Sequence, residues 1–108
     1  MEHDDVLKWQ NIQIKKIGKV ITGKTPSFRN PEHFGTDYPF ITPTDMDGRR
    51  YMNTTQRHLS HEGAKKFENI MIPAQSVLVS CIGWQMGKVV ITSKPSFTNQ
   101  QINSIVVN

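Results

Sequence analysis

Apolar and polar residues alternate over short stretches of this chain and rarely fall at helical spacing. Ile12, Ile14 and Ile17 interleave with Gln13, Lys15 and Lys16, close to the period of two of a half-buried strand, and Gly18 is expected to end that strand or mark a bulge. Ile70 to Ile72, Val77 to Ile82, Lys88 to Thr92 and Ile102 to Val107 read as further strands. Between them lie the turn-formers Pro73-Ala74-Gln75, Gly83 to Gly87 and Lys94-Pro95-Ser96. Phe40-Ile41-Thr42 and Arg50-Tyr51-Met52 predict two more strands around Asp47-Gly48, a dipeptide that commonly turns a chain back on itself. The best helix signal is Leu59 to Phe67: Ser60 can cap it, Leu59 and Ala64 take the staple positions, and Gly63 weakens it, so about two turns are expected. From Thr22 to Pro43 stand Gly23, Pro26, Pro31, Gly35, Pro39 and Pro43, too many breakers for a helix. A long, ordered surface loop is expected there, and such loops usually carry function.

A chain of 108 residues with 36% hydrophobic and 20% charged residues has room for one modest soluble domain. Its longest apolar runs fall far short of the roughly 18 residues of a spanning helix, and the acidic start at Glu2, Asp4 and Asp5 is unlike a secretory signal. The expected address is the cytoplasm. Cys81 is the only cysteine, which excludes an internal disulfide and a thiol-only metal site; among Val77-Leu78-Val79-Ser80 and Ile82 it reads as a small buried apolar residue. Ile105-Val106-Val107-Asn108 stops inside a strand-like segment, so the chain is expected to be a piece of something longer.

Charge narrows the partner. The formal net charge is +4, but three of the nine acids lie in the first five residues, which leaves 13 bases against six acids from Val6 onward, or +7. No acid follows Glu68, whereas Lys88 and Lys94 do. A polyanion is the natural partner of such a body, although basic charge by itself also serves solubility.

Catalytic patterns are incomplete in this chain. Gly18-Lys19-Val20-Ile21-Thr22-Gly23-Lys24-Thr25 has the spacing of a phosphate-binding loop, but that loop works only when a helix starts at its Gly-Lys-Thr. Pro26 follows at once and Pro31 lies in the would-be second turn, where proline costs about 3 kcal/mol. No Pro-Pro pair exists for a methyltransferase site, and no proline precedes aspartate as in common metal-dependent nucleases. His58 and His61 form a two-position metal pair at most, whereas zinc wants three or four ligands.

With catalysis set aside, several phrases resemble the target-recognition domain of the specificity subunit of type I restriction-modification systems. Trp9-Gln10-Asn11-Ile12, Ile17-Gly18-Lys19-Val20 and Thr22-Gly23-Lys24-Thr25-Pro26-Ser27 are similar to that domain's opening, where a tryptophan precedes a strand and a T-G-x-T-P-S loop. Phe34-Gly35 and Tyr38-Pro39-Phe40-Ile41-Thr42-Pro43-Thr44-Asp45-Met46 resemble its aromatic-glycine and I-P-W-I-T-P-x-D-L phrases, with Phe40 for the usual tryptophan. Arg57 to Gly63 resembles a step into a short helix, Ile72 to Gly83 with Met86-Gly87-Lys88-Val89 a strand and glycine-lysine turn, and Asn99-Gln100-Gln101 the family's Asn-Gln-Gln. The chain lacks the long helix and second unit of a complete subunit.

The resemblance implies an α+β, β-rich fold of twisted short strands, long ordered loops and one or two short helices, double-β-helix-like, with residues 1–108 as a single recognition domain of a longer subunit. It also implies that the chain is not an enzyme. It would read one half of a bipartite site in double-stranded DNA, while a methyltransferase (modification) subunit and a restriction subunit act with S-adenosylmethionine, ATP and magnesium. No cofactor is expected on this chain.

Lysines and arginines on phosphates position a protein, whereas arginine can be bidentate to guanine and glutamine to adenine. Lys24, Arg29, Lys65, Lys66 and Lys88 are the phosphate candidates. Arg49, Arg50 and Arg57, followed by Gln56, Trp84 and Gln85, are the base-reading candidates. Thr22, Thr25, Thr42, Asp45, Asn99 and Gln100 fit loop-fixing hydrogen-bonders better, since residues shared by proteins that read different sequences belong to the scaffold. The other readings are a protein-interaction module whose charge only confers solubility and a nucleotide-binding fragment.

Overall fold

Strand β2 (Phe34–Ile41) ties the molecule together because neighbouring side chains on a strand point to opposite faces. A computed structural model describes residues 18–48, 50–52, 54–80 and 88–107. In it Phe40 packs with Leu59, Ala64 and Phe97, and with the partly buried Phe34, Tyr38, Phe67 and Ile70. Ile41, the next residue, enters a second core with Met46, Met52, Ile72, Leu78, Val90 and Ile102.

Each core has its own sheet. The first is three-stranded, in the order β3 (Arg57–Leu59), β2, β6 (Phe97–Thr98). In it β3 runs antiparallel and β6 parallel to β2. The second is an antiparallel sheet in the order β1 (Gly18–Thr22), β7 (Ile102–Val107), β4 (Val77–Ser80), β5 (Val89–Ile91). The alternation read from Ile102 to Val107 thus yields β7 over the same residues, that of Lys88 to Thr92 the shorter β5, and Val77 to Ser80 of the first stretch is β4.

The predicted helix is α1 (His61–Lys66). The Ser60 hydroxyl caps it by accepting from the Gly63 amide at 3.0 Å, and Leu59 and Ala64 share a core. Gly63 has a reason the helix scale does not contain: a Cβ there would lie 2.1 Å from the His33 carbonyl oxygen. The glycine lets α1 sit against the short 3-10 turn Pro31–His33.

Four expectations need correction. Phe34–Ile41 is a strand inside what reads as one long loop, and Pro39 is tolerated because β6 pairs only with Phe40 and Ile41, leaving one flank of β2 open at the proline. Asp47-Gly48 does turn the chain, with Gly48 at φ +92°, but no hairpin with Phe40-Ile41 results. Tyr51 instead bridges to Ile91 of β5, through bonds from the Ile91 amide to the Arg50 carbonyl and from the Met52 amide to the Ile91 carbonyl. Gly18 lies in β1 rather than ending a strand, and Glu68–Ile70 is a 3-10 turn with only Ile72 bridged, to Ser96. The expected strand at Ile12 to Ile17, Cys81, the Gly83 to Gly87 turn and part of the resemblance phrases fall outside the described residues.

Two stability predictions follow from the packing. Gly63→Ala would raise stability if helix propensity decided; the contact with His33 predicts a loss of about 1–3 kcal/mol in urea melts. Phe40→Ala removes a fully buried ring and should cost about 3–5 kcal/mol by the same measurement.

Candidate nucleic-acid interface

Hydrogen bonds at the end of β2 build a rigid frame. The Thr42 amide and hydroxyl both donate to Asp45 Oδ2, at 2.8 and 3.1 Å, and the Asp45 amide donates back to the Thr42 carbonyl at 2.9 Å. This capping box closes the 3-10 turn Pro43–Asp45. The other carboxylate oxygen, Asp45 Oδ1, accepts from the Gln56 amide at 3.0 Å. One aspartate therefore fixes both the turn after β2 and the entry to β3.

The turn between β6 and β7 is pinned to the same strand. The Asn99 amide donates to the Ile41 carbonyl at 3.1 Å, and the Asn99 side chain holds the turn by accepting from the Gln101 amide at 3.0 Å. The loop after β1 then docks on that turn: the Lys24 amide donates to the Thr98 carbonyl at 3.0 Å, the Thr25 hydroxyl to Gln100 Oε1 at 2.7 Å, and the Thr22 hydroxyl to Asn103 Oδ1 at 2.7 Å. Gly23 is needed there because a Cβ would lie 2.1 Å from the Thr98 hydroxyl and 2.2 Å from its carbonyl oxygen. Thr22, Thr25, Thr42, Asp45, Asn99 and Gln100 all serve as loop-fixing hydrogen-bonders.

That geometry also disposes of the phosphate-loop match. Gly18–Thr22 is a strand, Gly23 to Thr25 are not helical, and the amides of Gly23 and Lys24 are taken by the carbonyls of Ile102 and Thr98. Backbone donors already bonded to protein cannot cradle a phosphate.

On this frame Gln56 and Arg57, both exposed, form a ridge between two clefts. One, of about 340 Å³, is polar and is bounded by Thr42, Thr44, Asp45, Asn99 and Gln101. The other, of about 510 Å³, is bounded by Phe28, Pro31, Phe34, Gly35, Thr36 and His58. The Arg57 Cζ lies 4.7 Å from the centroid of the Phe28 ring, over its face. Phe28 in turn stacks on Phe34, with centroids 5.2 Å apart and planes 9° from parallel. Arg29 is adjacent to Phe28 in an exposed turn, its amide donating to the Ser27 hydroxyl.

Of the expected contact residues, Gln56 and Arg57 share the ridge, Arg29 follows Phe28 in the loop that touches it, and Lys24 lies earlier in that loop with its amide bonded to Thr98. The others are elsewhere. Lys65 and Lys66 are exposed on the last turn of α1, and Arg50 and Lys88 are exposed beside the edge strand β5. Among the described residues the candidates therefore sit on the loop and ridge beside β3, on α1 and beside β5. Arg49, Trp84 and Gln85 lie outside the described residues. His58 is half-buried and His61 is exposed; among the described residues no three His, Cys, Asp or Glu side chains converge as a metal ion would require.

Sequence reasoning passed over Phe28 and gave Asn99 only a scaffold role, although Asn99 and Gln101 also border the polar cleft. The signal for Phe28 was available: an aromatic directly before Arg29, in a loop too polar and proline-rich to bury it.

Comparison with known proteins bears on the family and the fold. The family model for the type I restriction modification DNA specificity domain matches residues 7–108. The type I restriction enzyme HindI specificity subunit of Haemophilus influenzae is 46% identical over 98 residues, covering 91% of this chain and 21% of that protein. The MjaIX specificity subunit of Methanocaldococcus jannaschii is 31% identical over 100 residues, covering 91% of this chain and 23% of that protein. The chain thus spans less than a quarter of the length of these curated relatives. Among solved structures, the HsdS subunit from Thermoanaerobacter tengcongensis shares the fold, with a TM-score of 0.62 at 11% identity over 88% of this chain and 22% of that one. The α+β, strand-rich architecture is therefore that of a specificity subunit, and the chain belongs to the type I restriction modification DNA specificity domain family.

Proposed function

We propose that this chain binds double-stranded DNA and reads one half of a bipartite target, supplying an address and no chemistry. The observation that carries this reading is the exposed Gln56-Arg57 ridge, touched through Phe28 by the loop that holds Lys24 and Arg29 and held by a hydrogen-bonded frame. The residues shared with the family build the frame, and the exposed polar side chains mounted on it are free to differ between proteins that read different sequences.

Lys24 and Arg29, in the loop pinned to the β6–β7 turn, suit phosphate contacts, which need charge more than fixed geometry. Arg57 opens a strand anchored by buried Leu59, where side chains are placed more exactly than on loops, and Gln56 directly precedes it with its amide held by Asp45. They are the base-reading pair. Lys65, Lys66, Arg50 and Lys88 extend the positive surface along the duplex in this reading. A methyltransferase subunit and, through the assembled complex, a restriction subunit are the proposed protein partners; S-adenosylmethionine, ATP and magnesium would act there. The complex would work in the cytoplasm, where the DNA is. No helix among the described residues is long and apolar enough to cross a membrane.

Two measurements test the reading. Placing residues 6–108 in a complete specificity subunit, in exchange for one of its recognition units, should change one half of the methylated sequence; a half-site that stayed the host's would refute it. Lys24→Ala or Arg29→Ala should weaken binding to all duplexes alike and lower the slope of log affinity against log salt by about 1. Salt-independent binding to a protein, with no retention of duplex at low salt, would favour an interaction module instead.

A further inference from the structure

Among the described basic residues, Arg57 is the one held on an aromatic support. Its guanidinium lies over Phe28, Phe28 is parallel to Phe34, and Phe34 is packed against the core that contains Leu59, two residues after Arg57. The support is thus closed from the strand through two rings back to the same strand. Phe28 is nonetheless 62% exposed. Leaving a phenylalanine in water gives up its burial, so its place is not explained by the core.

Stacking leaves the guanidinium's hydrogen-bonding capacity intact. The ring occupies one side of the guanidinium, 4.7 Å from its central carbon, and a cation–ring contact spends no oxygen or nitrogen acceptor on the five N–H donors. No described residue hydrogen-bonds or ion-pairs with the Arg57 guanidinium. Its orientation is therefore restrained while its donors stay unspent, and less side-chain freedom is lost when it binds a planar acceptor pair.

We propose that Phe28 is a specificity-determining positioning residue: backed by Phe34, it presents the Arg57 guanidinium edge-on as a preformed bidentate donor to the O6/N7 edge of one guanine. The inference rests on the reading of this face as DNA-binding and adds which base is read and what holds the reader. A phosphate offers the same two-acceptor geometry, but a phosphate contact would not distinguish one base from another.

The full 108-residue chain, used to select duplexes from a randomised library at low salt, separates these outcomes. The unaltered chain should enrich guanine at one position. Phe28→Leu, which keeps an apolar side chain but loses the ring face, should lower that preference by about tenfold or more while non-specific affinity and melting temperature stay nearly constant. Phe28→Tyr should retain the preference, and Arg57→Lys should abolish it although the charge remains. Undiminished guanine preference in Phe28→Leu would overturn the proposal while leaving DNA reading intact. Equal weakening on every sequence in Phe28→Leu and Arg57→Lys would also overturn it, by making Arg57 a phosphate contact. Failure of the unaltered chain to retain any duplex would count against both the proposal and the DNA reading beneath it.

Discussion

The structure depends on one strand end that faces two ways. Phe40 and Ile41 are each at most 1% exposed and feed different cores, so the backbone between them cannot shift without opening one core or the other. Three elements of the candidate site are attached within one residue of that point. Arg57 pairs with Phe40 across β2 and β3, Asn99 bonds the Ile41 carbonyl, and Thr42 opens the capping box that carries Gln56 through Asp45. Burial supplies the rigidity, and hydrogen bonds pass it on to residues that stay in water.

This division of labour suits a recognition module. The Thr, Asp, Asn and Gln side chains of the family's phrases spend their donors and acceptors on one another and on the backbone, which makes three loops behave as one body. Lys24, Arg29, Gln56 and Arg57 project from that body, with the Arg57 donors uncommitted among the described residues. A change in the projecting residues leaves the frame unaltered. One frame can therefore serve proteins with different targets.

Local patterns made part of this legible in the sequence. Ser60 as a cap, the alternating strands from Val77 onward and the scaffold role of Thr42 and Asp45 depend on neighbours in sequence, or on phrases already familiar, and they hold in the structure. What failed depends on partners distant along the chain. Pro39 argues against a strand until β6 is seen to begin pairing only after it, at Phe40. Asp47-Gly48 promises a hairpin, yet Tyr51 finds its partner at Ile91. Gly63 looks like a weak helix residue until His33 is seen against it. The site divides in the same way: residue type picked out Arg57 and Gln56, but only the fold shows that Lys65 and Lys66 ride on α1, that Arg50 and Lys88 lie beside β5, and that Phe28 lies beneath Arg57.

Amide hydrogen exchange of the full chain, with and without duplex DNA, addresses the central claim most directly. The account predicts slowed exchange around residues 23–29, 42–45, 56–57 and 98–101, which surround the ridge. Slowing confined to α1 or to the β5 edge, with that region unchanged, would contradict it.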